Sequence, residues 1–401
     1  MILVEKHTIN QKHNFYQECD ELCFKSKNLY NQGLYNVRQY YFETKKYLSY
    51  VKNYHVSKNQ DSYKQLPGKV SNQTLKLIDQ NFKSFFGLLK TTGSVAKIPN
   101  YLDKENGRYI VKYEKQALGK RIFKKTGVIK LSQCDIKIKT QITNWENLKE
   151  VRIIPRSNHY VIEVVYEKKE KECNGNITAA IDPGLNNLVT ATFSNGNQPI
   201  IINGKPLKSM NQYYNKKLAF LKSELELKQK RKKSKNIIKL TFKRNNKIND
   251  YLHRASKILV NQLVSNQVKT LIIGKNVGQK QDSKMSKKNN QNFVNIPIFR
   301  YLNMVAYKAR LEGIEVLWQE ESYTSKASFL NQDFIPVYGK EKGKPNFSGY
   351  RRHRGLYKIK GENKTINADV NGSYNIMRKA VPNIFIDGIE ECAVIPFKLY
   401  V

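Results

Sequence analysis

The 401-residue sequence predicts a multidomain α+β chain. Three observations carry that expectation. Residues 12–90 place apolar side chains at helical spacing, and residues 92–172 switch to the period of two that marks strands. From residue 176 short apolar strands alternate with helix-length amphipathic segments. The length suits two or three domains. A hydrophobic share of 40% is enough to build packed cores and excludes global disorder.

Residues 1–10 read as a short strand. Phe15, Cys19, Leu22 and Cys23 then fall on one helical stripe, and Leu75, Ile78, Phe82, Phe85, Phe86 and Leu89 on another. Most of these aromatics are expected in a core. Tyr40, Tyr41 and Tyr47 are expected among the exposed tyrosines able to stack on bases. Cys19 and Cys23 share a helical face and read as buried thiols rather than half a metal site; Cys134, Cys173 and Cys392 are scattered. The alternating runs 109–113, 127–131, 135–140, 150–155 and 160–166 are punctuated by Gly, Asn and Pro, as in an antiparallel β-barrel or sandwich. A helical insertion at 11–91 would thus interrupt a barrel made of 1–10 and 92–172.

Past residue 174 the expected order is a strand at 177–182, a second from 189, a third from 199, and helices from about 208 and from about 245 to 267. Next come a strand from 268 to 274, a helix at 298–312, a strand at 314–319 and a final helix near 369. A three-strand meander followed by helix, strand, helix, strand and helix is the order of an RNase H-like α/β domain, here 174–401. It would include a basic helical segment at 208–267 and a basic loop at 331–366.

Lys and Arg number 71 against 33 Asp and Glu, a formal net charge of +38. Such an excess repels itself unless a polyanion neutralises it, so nucleic acid is the expected partner. No apolar run approaches the ~18 residues that span a bilayer. Met1–His7 meets charge too early for a signal peptide. A cytoplasmic, nucleoid-associated protein of prokaryotic kind, without a membrane partner, is expected. Residues 228–247 hold ten Lys or Arg and no acid. Lys230, Arg231, Lys232, Lys233, Lys243 and Arg244 there, with Arg351, Arg352 and Arg354 in the later basic loop, are candidate contacts to nucleic-acid backbone.

Acidic residues therefore stand out. Asp182 ends an apolar strand, Glu320 and Glu321 follow another, and Asp369 opens a helix. Carboxylates gathered from strand ends and a facing helix can hold a pair of Mg²⁺ ions, with Mn²⁺ as a substitute, for phosphodiester cleavage. Asn371 is a candidate supporting residue that orients the site by hydrogen bonding. The six histidines form no ligand spacing, and no Ser-His-Asp, Cys-His or Gly-rich phosphate motif is readable.

Three segments together resemble the TnpB family, insertion-sequence-encoded RNA-guided nucleases often labelled transposases and related to compact type V CRISPR effectors. They are Ala180-Ile-Asp-Pro-Gly-Leu-Asn-Asn-Leu, the stretch from Asn289 to Pro297 with Glu320-Glu-Ser-Tyr-Thr-Ser-Lys, and Asn367-Ala-Asp-Val-Asn-Gly-Ser-Tyr-Asn-Ile. The resemblance implies a wedge-like barrel, a helical recognition lobe and a RuvC-like nuclease domain. It implies a guide RNA from the element's own end, a double-stranded DNA target and a Mg²⁺ site at Asp182 and Asp369. A monomer is expected.

Two departures from the family pattern stand out. The strand that in most of the family ends in a catalytic glutamate carries Gly274. Glu321 is the favoured replacement, with Glu320 as the alternative. The two Cys-x-x-Cys pairs of the family's zinc ribbon are missing, because no cysteine lies between Cys173 and Cys392. No structural zinc is expected. The reading is an RNA-guided, Mg²⁺-dependent DNA endonuclease. A nuclease-dead RNA-guided repressor and a transposase acting directly on DNA ends are the alternatives.

Overall fold

A computed structural model describes the chain except residues 93–94, 230–233, 277–294, 338, 340–344, 354 and 386–393, and the side chains of 228 and 229. Cys392 and residues 289–294 of the second resemblance segment fall outside the described residues. The chain divides into two compact units, Met1–Lys169 and Glu170–Val401.

In the first unit, strand Ile2–Asn10 runs antiparallel to His159–Glu167 along its whole length, with Ile2 opposite Glu167 and Asn10 opposite His159. Strands Leu148–Pro155 and Val111–Glu114 complete a four-stranded sheet, and Val128–Lys130 with Lys137–Lys139 form a separate pair. Helices Tyr16–Thr44 and Gly68–Thr92, with shorter ones between, fill the region read as helical. Cys19, Cys23, Leu75, Ile78 and Phe82 share one core with Val151, Ile153 and Ile162 of the sheet. Burial pushes the Cys19 thiol up to about 12, as befits a packing residue. Tyr47 is not a free stacking surface: it lies against Phe82 and Phe86 and donates to Asp79.

The second unit is built on a six-stranded sheet. Its order is Glu315–Glu320, Val268–Lys275, Ile177–Pro183, Asn187–Phe193, Ile200–Asn203 and Phe397–Leu399. The first three are parallel to one another, and Asn187–Phe193 is antiparallel to both of its neighbours. The pleat sends successive side chains to opposite faces. Ala179, Ile181, Leu271 and Ile273 pack with helices Lys235–Ser265 and Ile298–Leu311 on one face. Ala180 and Ile272 pack on the other with Val370, Tyr374 and Ile376 of helix Ala368–Ala380. Burial on both sides explains why these strands read as continuous apolar runs.

Three boundaries differ from the sequence reading. The helix expected from 245 begins at Lys235, where Ser234 caps it by accepting from the Ile237 amide at 3.3 Å. Its polar first turns hide the start. The strand Phe397–Leu399 adds to the far edge of the sheet, parallel to Ile200–Asn203. The stretch taken as a basic loop holds a three-stranded antiparallel sheet, Gly349–His353, Leu356–Ile359 and Thr365–Asn367. Tyr357, Ile359 and Ile366 are buried, while the intervening basic residues hide their period. Among the described residues, no helix is long and apolar enough to cross a membrane.

Candidate functional site

Asp182 lies near the end of strand Ile177–Pro183, opposite Thr190 of the next strand. On its other side Ile181 pairs with Ile273, so Asp182 and Gly274 are the next neighbours along two parallel strands. Gly274 in turn pairs with Gln319, and Lys275 with Glu320, at the edge strand. Alternation sends Gln319 and, two residues on, Glu321 toward Gly274, and sends Glu320 the other way.

The contacts follow that geometry. Glu320 accepts from Lys379 Nζ at 2.7 Å, the Ser322 amide at 2.6 Å and Ser322 Oγ at 2.7 Å. Burial alone would raise its pKa, but the bonds from Lys379 and Ser322 outweigh it and hold the carboxyl below its ordinary value. Glu321 turns instead into a cavity of about 510 Å³ that Asp182 and Asp369 also line. Its Oε1 is buried without a hydrogen-bond partner. Burial, then the Glu320 charge, push Glu321 up to about 7.

Asp369 occupies the first turn of helix Ala368–Ala380, where the helix dipole favours an anion. Asn367 caps that helix through the Asp369 and Val370 amides at 3.0 and 3.2 Å. Asn187 Nδ2 donates to Asp369 Oδ2 at 2.7 Å, and Arg351 donates to Oδ1 at 2.5 Å. Asp182 is held well above the ordinary carboxylate range by burial, then by the charges of Glu321 and Asp369; Arg351 opposes the shift. Like charges crowding a buried site produce that result.

Two glycines make the crowding feasible. A Cβ at Gly274 would overlap Glu321 Oε1 and come within 2.7 Å of Ile376 Cδ1. A Cβ at Gly372 would stand 2.6 Å from Asp182 Oδ2. The missing side chain at 274 is therefore the space that the Glu321 carboxylate fills.

The remaining predicted residues divide. Asn371 is buried and faces away from the carboxylates: it accepts from the Phe329 amide at 2.9 Å and donates to the Ala327 carbonyl at 2.8 Å. Asn375 donates to the Thr324 and Ala327 carbonyls at 2.9 and 2.8 Å. Together they staple the turn after Glu321 to the helix. Arg351 joins the acids. Lys243 and Arg352 are exposed. Arg244 is tied within the unit, to Asn211 Oδ1 at 2.6 Å and the Asn295 carbonyl at 3.0 Å. Lys230, Arg231, Lys232, Lys233 and Arg354 lie outside the described residues.

Sequence reasoning missed Lys205, Lys208 and Lys398, which rim the cavity, and Thr190 within it. Thr190 Oγ1 is buried without a hydrogen-bond partner. The Asn186-Asn187 pair after Pro183-Gly184 was the one visible signal of this rim. Among the described residues, no three His, Cys, Asp or Glu side chains stand close enough to hold a metal ion as they are.

A stability consequence follows from Glu321. Its ordinary value is 4.5 and its folded value about 7, so the unfolded chain releases this proton first. Its contribution is fully present below about 4.5 and is lost as pH rises through about 7. Metal-free Glu321→Gln protein should therefore gain Tm relative to the parent as pH rises from 4.5 to 7.5. A Tm difference that does not change with pH would show an ordinary carboxyl.

Residues 159–280 match the family model OrfB_IS605, described as a probable transposase, and residues 299–376 match the Cas12f1-like TNB domain. The first stretch holds Asp182; the second holds Glu320, Glu321, Arg351 and Asp369. The two matches support a TnpB-like relationship to the compact type V proteins. The chain is 26% identical over 277 residues to the CRISPR-associated endodeoxyribonuclease Cas12f2 of Micrarchaeota archaeon (strain CG1_02_47_40). That match takes in 65% of this chain and 48% of the relative, so the chain spans about half the length of that curated relative. The fold is similar to the Cas12f1 chain of a Cas12f1–sgRNA–target DNA complex. The TM-score is 0.54 at 17% identity, over 90% of this chain and 83% of that one.

Proposed function

We propose that the chain is an RNA-guided, Mg²⁺-dependent DNA endonuclease of a mobile element, cutting phosphodiester bonds at a RuvC-like site. The observation that carries the reading is one cavity. Asp182, Glu321 and Asp369, from three separate segments, line it at one end of the sheet, and Lys205, Lys208, Arg351 and Lys398 surround them. An acidic floor under a basic rim suits a phosphodiester and a divalent cation together.

The donor set fits Mg²⁺. All three groups are hard oxygen donors. One oxygen of Glu321 is buried and unpartnered, and Asp182 is crowded by like charge that a cation would relieve. Asp182, Glu321 and Asp369 would hold the ion, which when bound activates water and stabilises the leaving oxygen. Asn187 holds Asp369 in place. Arg351 pairs with Asp369 and is well placed to turn its N–H donors to a scissile phosphate. The lysines of the rim grip the backbone.

The wider reading assigns residues 1–10 and 92–172 to a wedge-like barrel, 11–91 to a recognition lobe and 174–401 to an RNase H-like, RuvC-type domain. A guide RNA from the element end would pair with one strand of a double-stranded target, leaving the protein to grip backbones. The net charge of +38 supports two polyanionic partners. The test is sequencing of RNA that copurifies with the chain, then cleavage of matched DNA in Mg²⁺. Alanine at Asp182, Glu321 or Asp369 should each lower cutting by about 10²–10³-fold or more, the several kcal/mol that metal chemistry contributes. Cutting at the parent rate by Glu321→Ala would sink the site as drawn.

Two observations favour a second reading, a nuclease-dead guided repressor. Arg351 already pairs with Asp369, and the described residues form no ready three-ligand cluster. Guided binding by the parent chain without cutting in Mg²⁺ or Mn²⁺ would select it.

A further inference from the structure

We propose that Lys379 is the positioning residue for Glu321, acting through both of its chain neighbours. The inference rests on Glu321 being the second carboxylate of the site. Strand Glu315–Glu320 ends at the residue before Glu321, and its paired register with the neighbouring strand ends at Lys275–Glu320, so Glu321 lies just past the ladder. A glutamate at position 274 would have had a strand on either side. A carboxylate borne past a strand end needs another anchor.

Lys379 supplies one. It lies in the last turn of helix Ala368–Ala380, where a lysine ordinarily extends its ammonium into water. Here the side chain is only 6% exposed. Its Nζ reaches Glu320 Oε2 at 2.7 Å, the Ser322 carbonyl at 3.0 Å, Ser322 Oγ at 3.0 Å and the Pro336 carbonyl at 3.3 Å. Burying an ammonium is costly unless it is paired and fully bonded, and this one is. The residues before and after Glu321 are thus fastened to one charge. Thr324 closes the turn, its hydroxyl and amide donating to the Glu321 carbonyl at 2.8 and 3.2 Å.

The consequence is a division of labour between the adjacent glutamates. Glu320 is the counter-ion of the clamp, and Glu321 is the group the clamp aims. The same helix bears Asp369 in its first turn and Lys379 in its last. One rigid element therefore sets two of the three carboxylates, Asp369 directly and Glu321 through Lys379.

The test uses the full chain with its copurified RNA and measures Mn²⁺ binding by calorimetry beside cleavage kinetics. Lys379→Met should weaken Mn²⁺ binding and lower kcat by about 10–100-fold, the usual effect of losing a group that orients a metal ligand. KM for DNA should stay within about twofold. In a Glu321→Ala background the same substitution should add nothing to the loss of Mn²⁺ affinity. Glu320→Gln loosens the clamp from its other side at constant volume, and should shift Mn²⁺ affinity in the same direction by less. It serves if Lys379→Met does not fold. Parental Mn²⁺ affinity in both variants, or an additive loss in the Glu321→Ala background, would overturn the proposal. Unchanged Mn²⁺ binding and cutting by Glu321→Ala alone would instead remove Glu321 from the site.

Discussion

Placing a glutamate at position 274 is expected to abolish cutting rather than improve it. The TnpB resemblance makes Gly274 look like a lost ligand that substitution could restore. The structure gives the opposite reading. A Cβ at 274 would overlap Glu321 Oε1, approach Ile376 Cδ1 to 2.7 Å and lie 3.0 Å from Glu321 Cγ. None of these neighbours is a free surface tip: Ile376 is fully buried, and Glu321 is fastened on both sides. Even Gly274→Ala should expel the Glu321 carboxylate and lower cutting by roughly 10²-fold, about the effect of two lost tenfold factors. Gly274→Glu would add a fourth carboxylate where burial, then neighbouring carboxylate charge, already holds Asp182 and Glu321 above their ordinary values, and should leave no measurable cutting. Room returns only when Glu321 is cut back. Gly274→Glu with Glu321→Gly and Ile376→Val should recover part of the activity that each of the first two changes removes alone. Single-turnover cleavage of matched DNA reads all of these. Parental cutting by Gly274→Glu with Glu321 intact would show that the two positions do not compete for one place.

That competition marks how far the sequence could be read. The acids at 182 and 369 were legible because each ends or opens an element whose apolar pattern is clear: Ala179-Ala-Ile before Asp182, and a capped helix start around Asp369. The choice between Glu320 and Glu321 was legible in principle, since strand alternation sends only one toward Gly274. It stayed open because both residues sit where the strand ends, and alternation alone does not say which face the end presents. The clamp from Lys379 was hidden, because a lysine in a last helical turn ordinarily means a solvated charge. The basic strands around Arg351 were hidden too. Arg351, Arg352 and Lys358 mask the alternation of Tyr357, Ile359 and Ile366, and the short runs read as loop. Asn371 lies beside the acids in sequence, but its two bonds go to Ala327 and Phe329, so it supports the turn after Glu321 and leaves Asp369 to Asn187 and Arg351.

Gly372→Ala should separate stability from activity. A glycine inside a helix ordinarily weakens it by roughly 0.5–1 kcal/mol relative to alanine, so this exchange at an inert position would raise Tm by a few degrees. Gly372 lies within helix Ala368–Ala380, three residues past Asp369, and is buried. Its place in the helix makes sense only through what it faces: a Cβ there would stand 2.6 Å from Asp182 Oδ2. Asp182 has a short side chain on a strand held on both sides, so the carboxylate must rotate out of the cavity to make room. The helix has little freedom to withdraw instead. Ser373 beside the glycine donates to the Ala180 carbonyl at 2.9 Å and bonds Thr192 Oγ1 at 2.9 Å, locking the helix to the sheet two residues from Asp182. Helix propensity and the displaced carboxylate then act in opposite directions on stability, and Tm should move by no more than a few degrees. Cutting should fall by at least 10²-fold, and Mn²⁺ binding with it. Calorimetry on the metal-free chain and single-turnover cleavage measure the two effects separately. An alanine at 372 that leaves cutting intact would mean that the working site does not hold Asp182 against the helix at Gly372.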